Sequence, residues 1–147
     1  MAPSVALSWQ EQAEQLRKDG NHYFKKDRFR AAIEAYTEAI TLCPNVPVYF
    51  TNRARCHLKR NDWTKVEEDC RKAIRLDHNS VKGHYMLGLA LLQREEYAGG
   101  IKELEKVGEF DPITRERLDE SQLISNLAIK EAVHAFLDKH GWAYRTD

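Results

Sequence analysis

Apolar and small residues recur along this chain at helical spacing, and the whole pattern returns after 34 residues. Residues 13–44 align with 47–78 and then with 81–112 at that offset. Equivalent positions hold small residues (Gly20, Ala54, Gly88), aromatic residues (Phe29, Trp63, Tyr97), a second apolar set (Ala39, Ala73, Val107) and closing residues (Pro44, His78, Pro112). A period of this length predicts three helical hairpins that stack on one another.

Each unit contains the parts that a helical hairpin needs. The small residue lets two helices approach closely, and the aromatic residue marks the turn between them. The second helix then carries apolar residues at helical spacing, such as Ala32, Tyr36, Ala39 and Ile40. We therefore predict an all-α fold with an N-terminal tail at 1–12 and repeats at 13–46, 47–80 and 81–112.

The segment 113–147 does not continue this pattern, because no small and aromatic residues fall at the required offset. A polar loop is followed by a predicted helix from about residue 126 to residue 140, which Gly141 ends. Its apolar face is formed by Ile129, Val133, Phe136 and Leu137. Such a helix is suited to cap a helical stack, since the last hairpin otherwise exposes its apolar side.

Composition narrows the function classes. Lys plus Arg and Asp plus Glu both number 23, so charge gives no reason to expect nucleic acid or an anionic membrane as partner. No apolar run approaches the ~18 residues of a membrane span. Three scattered cysteines without a CxxC pair favour reduced thiols in the cytoplasm. The six histidines lack metal-ligand spacing, and no cofactor motif is present, so we expect neither metal nor cofactor.

One face of the first helices carries a candidate site. The predicted clamp consists of Arg17, Asn21, Asn52 and Lys82, and the predicted groove lining includes Phe24, Val48, Tyr85 and Met86. Cations together with carboxamides suit a carboxylate, because charge-assisted hydrogen bonds contribute about 1.5–3 kcal/mol each. A peptide whose last residue is acidic offers two carboxylates. The alternative is that both cations are solvated and the asparagines are local caps.

The stretches "KDGN", "YFTNRA" and "NSVKGHYMLGLALL" resemble the repeat domain of CHIP-type chaperone-associated ubiquitin ligases, most closely the plant forms. The resemblance implies three tetratricopeptide repeats in a right-handed superhelix that binds the Glu-Glu-Val-Asp tails of cytosolic heat-shock chaperones. Asn21, Asn52 and Lys82 match clamp residues of that family. Arg17 stands where the family has Lys, and Arg55 replaces an aliphatic residue of the groove lining. The family's acidic residue after the third repeat has no counterpart here.

The stretch "FDPITRERLDESQLISNLAIKEAVHAFLDKHGWAY" resembles the second half of the U-box of the same family. By this resemblance 113–147 is a partial U-box. The family's linker helices and the first half of that domain are missing, and the third repeat joins the remaining half at a seam near residue 106. In that family a Pro contributes to the surface that binds the conjugating enzyme, and Ser125 occupies the position of this Pro. Half of a small domain has little core, so the resemblance implies weak or lost ligase activity.

The leading hypothesis is therefore a monomeric cytoplasmic co-chaperone adaptor that captures chaperone tails. The rival is an E3 ubiquitin ligase whose partial U-box is completed by a partner. A repeat scaffold that binds internal peptide segments is a third possibility.

Overall fold

Six α-helices arranged as three hairpins make up residues 7–110, the part of the chain that the computed structural model describes. They are α1 (Trp9–Lys25), α2 (Phe29–Leu42), α3 (Pro47–Lys59), α4 (Trp63–Leu76), α5 (Val81–Gln93) and α6 (Tyr97–Phe110). No strand occurs within this range, so the all-α prediction is confirmed. The predictions for 113–147, including the capping helix, lie outside the described residues.

The first helix begins earlier than the repeat pattern indicated. It starts at Trp9, inside the predicted tail 1–12, because Ser8 and Glu11 form a capping box. The Ser8 hydroxyl oxygen accepts from the Glu11 backbone N–H at 3.1 Å, and the Glu11 carboxylate accepts from the Ser8 N–H at 3.5 Å. This reciprocal pair satisfies two helix-end donors and adds a turn ahead of the apolar pattern.

The three hairpin turns have the same backbone geometry. Their left-handed residues are Asp27, Asn61 and Glu95, with φ of 57°, 57° and 62°. After each, the next backbone N–H bonds to a carbonyl five residues earlier, as from Arg28 to Tyr23 at 2.9 Å. This closure satisfies carbonyls at the helix end. The repeating aromatic residue, placed in the turn by the sequence, is instead the first residue of the second helix.

Close helix approach at the small-residue positions is confirmed. A Cβ added to Gly20 would lie 2.4 Å from Cε1 of Tyr36, and one added to Gly88 would lie 2.8 Å from Cγ of Leu104. Ala54, the equivalent residue of the second hairpin, is fully buried. These positions cannot hold larger side chains without separating the helices.

Neighbouring hairpins pack through α2 against α3 and through α4 against α5. The first helices of the hairpins are also in contact, α1 with α3 and α3 with α5. The largest buried cluster extends from α3 to α6 and includes Val66, Leu87, Leu104 and Val107. The first helices, which carry the predicted clamp residues, are therefore neighbours in the stack.

One charged residue of α4 is buried. The charge run "KVEEDCRK" at 65–72 is typical of a solvated helix face, and most of its charges are exposed or half-buried, but Asp69 is only 5% exposed. Its carboxylate accepts from Nε and Nη2 of Arg53 at 2.8 and 2.7 Å, which joins α4 to α3. The neutralising partner comes from another helix, so the charge is buried as a pair.

Candidate functional site

The two predicted clamp asparagines are in direct contact. Nδ2 of Asn52 on α3 donates to Oδ1 of Asn21 on α1 at 3.3 Å. The same oxygen accepts from the hydroxyl of Tyr36 on α2 at 2.5 Å. Two donors from different helices thus fix the orientation of the Asn21 amide, with its oxygen toward the protein. Asn52 is itself 2% exposed.

Arg17 lies one helical turn before Asn21 and is held by Glu14. Nη2 of Arg17 is 3.0 Å from Oε1 of Glu14, and Nε of Arg17 is 3.1 Å from both carboxylate oxygens. The hydroxyl of Tyr49 on α3 donates to Oε2 of Glu14 at 2.7 Å. The hydrogen bonds from Arg17 and Tyr49 hold the pKa of Glu14 below its ordinary value. The network fixes a cation beside the asparagine pair.

Tyr36 and Tyr49 remain neutral hydrogen-bond donors. Burial raises the pKa of both phenols well above the ordinary value, and the bond to Glu14 raises that of Tyr49 further. The positive charge of Arg17 opposes this shift, because it lowers the pKa of both hydroxyls. Arg17, Tyr36 and Tyr49 therefore lie within electrostatic reach of one another.

Arg55 and Phe24, both predicted to line the groove, also meet. Cζ of Arg55 on α3 lies 4.5 Å from the ring centroid of Phe24 on α1, which is cation–π geometry. The charge of Arg55 also acts on the Tyr36 hydroxyl. Arg55 therefore adjoins the asparagine pair, three residues after Asn52 on the same helix.

Lys82 lies in the first turn of α5, where Ser80 caps the helix by accepting from the Gly83 N–H at 3.1 Å. Together with Val48 at the start of α3, it lines a surface cavity of about 420 Å³. Both side chains are half-buried. The structure thus places the predicted third-repeat cation and one predicted apolar residue at the same opening.

Tyr85 and Met86 are more deeply placed than a groove lining requires. They are 0% and 1% exposed and belong to the core cluster of α3 to α6. Their part in the groove stays a prediction.

Three contributors to this site were not identified from the sequence: Glu14, Tyr36 and Tyr49. Tyr36 was assigned only to an apolar helix face, although its hydroxyl orients Asn21. Gly20 was the sequence feature that could have identified Tyr36. A glycine opposite a tyrosine leaves room for the ring, so the tyrosine hydroxyl can reach the neighbouring helix.

His84 on α5 is buried at 3% exposure, where it contacts α6. Nδ1 lies 2.6 Å from Oε2 of Glu103, and Nε2 lies 2.8 Å from the carbonyl oxygen of His78. The ring therefore joins α6 to the loop that precedes α5. Burial raises the pKa of Glu103, but the bonds from His84 and Lys106 outweigh it, and the net shift is downward.

Residues 7–110 contain no group of three or more His, Cys, Asp or Glu side chains that could hold a metal ion. Burial raises the pKa of the Cys56 thiol to about 12 and that of Cys70 well above its ordinary value, so both are protonated at neutral pH. Over the same range, no helix has both the length and the apolar character that crossing a bilayer requires.

Comparison with known proteins places both parts of the chain in families. The tetratricopeptide repeat model matches residues 20–46, and the U-box domain model matches residues 100–142. The chain is 36% identical to the E3 ubiquitin-protein ligase CHIP of Arabidopsis thaliana over 266 residues, covering 90% of this chain and 96% of that protein. The chain belongs to the CHIP family. Since 90% of 147 residues is about 132, roughly half of the aligned CHIP positions have no counterpart here.

Solved structures agree with the repeat fold. The second TPR domain of human RPAP3, in complex with the HSP70 peptide SGPTIEEVD, has a TM-score of 0.70 at 25% identity, covering 88% of this chain and 98% of that chain. The second TPR of Spaghetti (RPAP3), bound to the HSP90 peptide SRMEEVD, has a TM-score of 0.68 at 28% identity, covering 69% of this chain and 94% of that chain. The CHIP-family chain therefore has the tetratricopeptide fold of domains that bind peptides ending in EEVD.

Proposed function

We propose that this CHIP-family chain is a co-chaperone adaptor whose repeat face binds the C-terminal acidic tail of heat-shock chaperones, within the ubiquitin-dependent quality-control pathway. The observation that carries the proposal is the direct contact between Asn21 and Asn52, held from beneath by Tyr36 and flanked by Arg17. Peptides ending in EEVD occupy the related domains of RPAP3, which supports the same ligand class here.

The chemistry of the cluster suits a terminal aspartate. The oxygen of Asn21 accepts from Tyr36 and Asn52, so its amide nitrogen is the group with which it binds a carboxylate. Arg17 and Lys82 supply positive charge from the first and third repeats. A terminal Asp carries a side-chain and a main-chain carboxylate, and each charge-assisted hydrogen bond to them contributes about 1.5–3 kcal/mol.

Calorimetry with the free-acid peptide SRMEEVD and its C-terminal amide tests this proposal. We expect the amide to bind about 10-fold more weakly or worse, because it lacks one of the two charges. Raising the salt concentration should weaken binding of the free acid, since partly exposed charges are screened. Equal affinity for acid and amide would remove the clamp.

Lys82→Ala and Asn52→Ala should each abolish detectable binding while the far-UV circular dichroism of the repeats persists. Lys102→Ala is the matched control for Lys82, because Lys102 is an exposed lysine on α6. Loss of binding in the control as well would indicate a non-specific charge effect rather than capture at the cluster.

A second candidate is ubiquitin ligation, favoured by the U-box match at residues 100–142. In this alternative the partial domain is completed by a partner, and the chain transfers ubiquitin to chaperone-bound clients. An assay with activating enzyme, conjugating enzyme, ubiquitin and a tail-bearing chaperone distinguishes the two. The adaptor proposal predicts little or no chain formation by this protein alone, and robust chain formation would favour the ligase.

We further propose a monomer in the cytoplasm, which light scattering and cell fractionation would check.

A further inference from the structure

We infer that Arg55 is a specificity residue of the tail-binding face, reading an acidic side chain that lies two or three residues before the peptide's last residue. This inference rests on the proposed function. It concerns a different part of the peptide from the terminal carboxylates, which Arg17, Asn21, Asn52 and Lys82 are proposed to bind.

Arg55 is held in a defined position. Its guanidinium lies 4.5 Å from the centroid of the Phe24 ring, so an aromatic face from α1 supports a cation from α3. Arginine stacked in this way keeps its planar set of donors oriented at little further entropic cost. The stack therefore fixes the position of this cation before a peptide arrives.

Arg55 also lies at a suitable distance from the asparagine pair. It follows Asn52 by three residues on α3, which is about 4.5 Å along the helix axis. An extended peptide advances about 3.3 Å per residue. A peptide anchored at its last residue beside Asn52, and running along α3, therefore brings the residues before its penultimate one within reach of a long arginine side chain.

The chemistry of the tails fits this placement. Both peptides seen in the RPAP3 domains carry two glutamates directly before the final Val-Asp pair. An arginine beside this part of the peptide would form an ion pair with one of the two glutamates. It would favour tails with acidic residues there over tails that share only the terminal carboxylate.

The test uses four forms of SRMEEVD: the free acid, its C-terminal amide, and two free acids with either glutamate changed to glutamine. Each is titrated against the full chain and its Arg55→Leu variant. One glutamine peptide should bind the unmodified chain about fivefold more weakly, the size expected for a partly exposed ion pair. Arg55→Leu should bind the parent peptide about fivefold more weakly and should not distinguish that glutamine peptide from it.

Arg30→Leu is the matched control, since it removes the same charge at a side chain that is 86% exposed on α2. It should discriminate between the peptides as the unmodified chain does. The inference is overturned if neither glutamine peptide is weaker on the unmodified chain, a comparison that requires no variant to fold. It is also overturned if Arg55→Leu keeps the discrimination. Equal binding of acid and amide would instead remove the proposed function.

Discussion

Replacing Gly20 with alanine should destabilise the first repeat, although the same change in an open part of a helix stabilises a protein. The new Cβ would lie 2.4 Å from Cε1 of Tyr36 and 2.7 Å from both Cδ1 and Cζ. Tyr36 is fully buried and bonded to Asn21, so its ring cannot move into solvent without losing that bond. Either the ring or α2 must shift.

The magnitude follows from two opposing effects. Alanine gains about 1 kcal/mol over glycine in a helix interior. Overpacking a tight core site costs about 1–3 kcal/mol, and contacts this short belong at the upper end. We therefore expect the free energy of unfolding to fall by about 1–2 kcal/mol.

Gly99→Ala is the matched control in α6. There the added Cβ meets only Cδ1 of Leu91 at 3.5 Å, an ordinary contact, so the helix gain of up to about 1 kcal/mol should appear. Urea denaturation followed by circular dichroism should thus move the midpoint down for Gly20→Ala and up for Gly99→Ala. A Gly20→Ala chain as stable as the unmodified protein would refute the packing argument.

The same substitution should also affect binding, because a displaced Tyr36 no longer orients Asn21. Tyr36→Phe separates the two effects, since it keeps the ring and removes only the hydroxyl. We expect Tyr36→Phe to lose about 1 kcal/mol of stability and to bind the tail peptide several-fold more weakly. Unchanged affinity would show that the Tyr36 bond does not organise the site.

Three further outcomes are expected. Asp69→Ala should lower the free energy of unfolding by about 3 kcal/mol, because it leaves Arg53 partly buried without its carboxylate; loss below 1 kcal/mol in urea melts would contradict this. Glu95→Gly should raise the melting temperature and add up to about 1 kcal/mol, since Glu95 is held at φ of 62°; no gain would show that the turn carries no strain. Because the pKa of Glu103 is lowered in the fold, its carboxylate stabilises the protein at pH values above 4.5, the pKa in the unfolded chain, and this contribution should disappear as pH falls below 4.5. Glu103→Gln should therefore flatten the dependence of the free energy of unfolding on pH in this range, and an unchanged slope would contradict the assignment.

The repeat frame was predictable because it depends on a local pattern that is written three times. A 34-residue period with small residues opposite apolar ones leaves few arrangements other than stacked hairpins. The predicted starts at 47 and 81 coincide with the first residues of α3 and α5. Pro47 is pre-organised for a helix start, and Ser80 caps the following one.

The polar contacts were less predictable because they join helices that are distant in sequence. Asp69 belongs to a run of charges that reads as solvated, and only its partner on α3 shows that it is buried. The bond from Tyr36 to Asn21 depends on a glycine that removes the barrier between two helices. The two predicted asparagines are in contact, but the groups that orient them follow from packing rather than from periodicity.

The predicted seam near residue 106 falls inside α6, and the helix continues through it to Phe110. The U-box match begins at residue 100, yet Ile101, Leu104 and Val107 are buried as the second helix of the third hairpin requires. These three apolar residues are spaced three apart, which places them on one face of α6. The third hairpin is therefore completed by residues that the U-box model also matches. The residues proposed to bind the tail all lie on α1, α3 and α5, before this overlap begins, so the proposed tail binding and the proposed ubiquitin transfer can be tested separately.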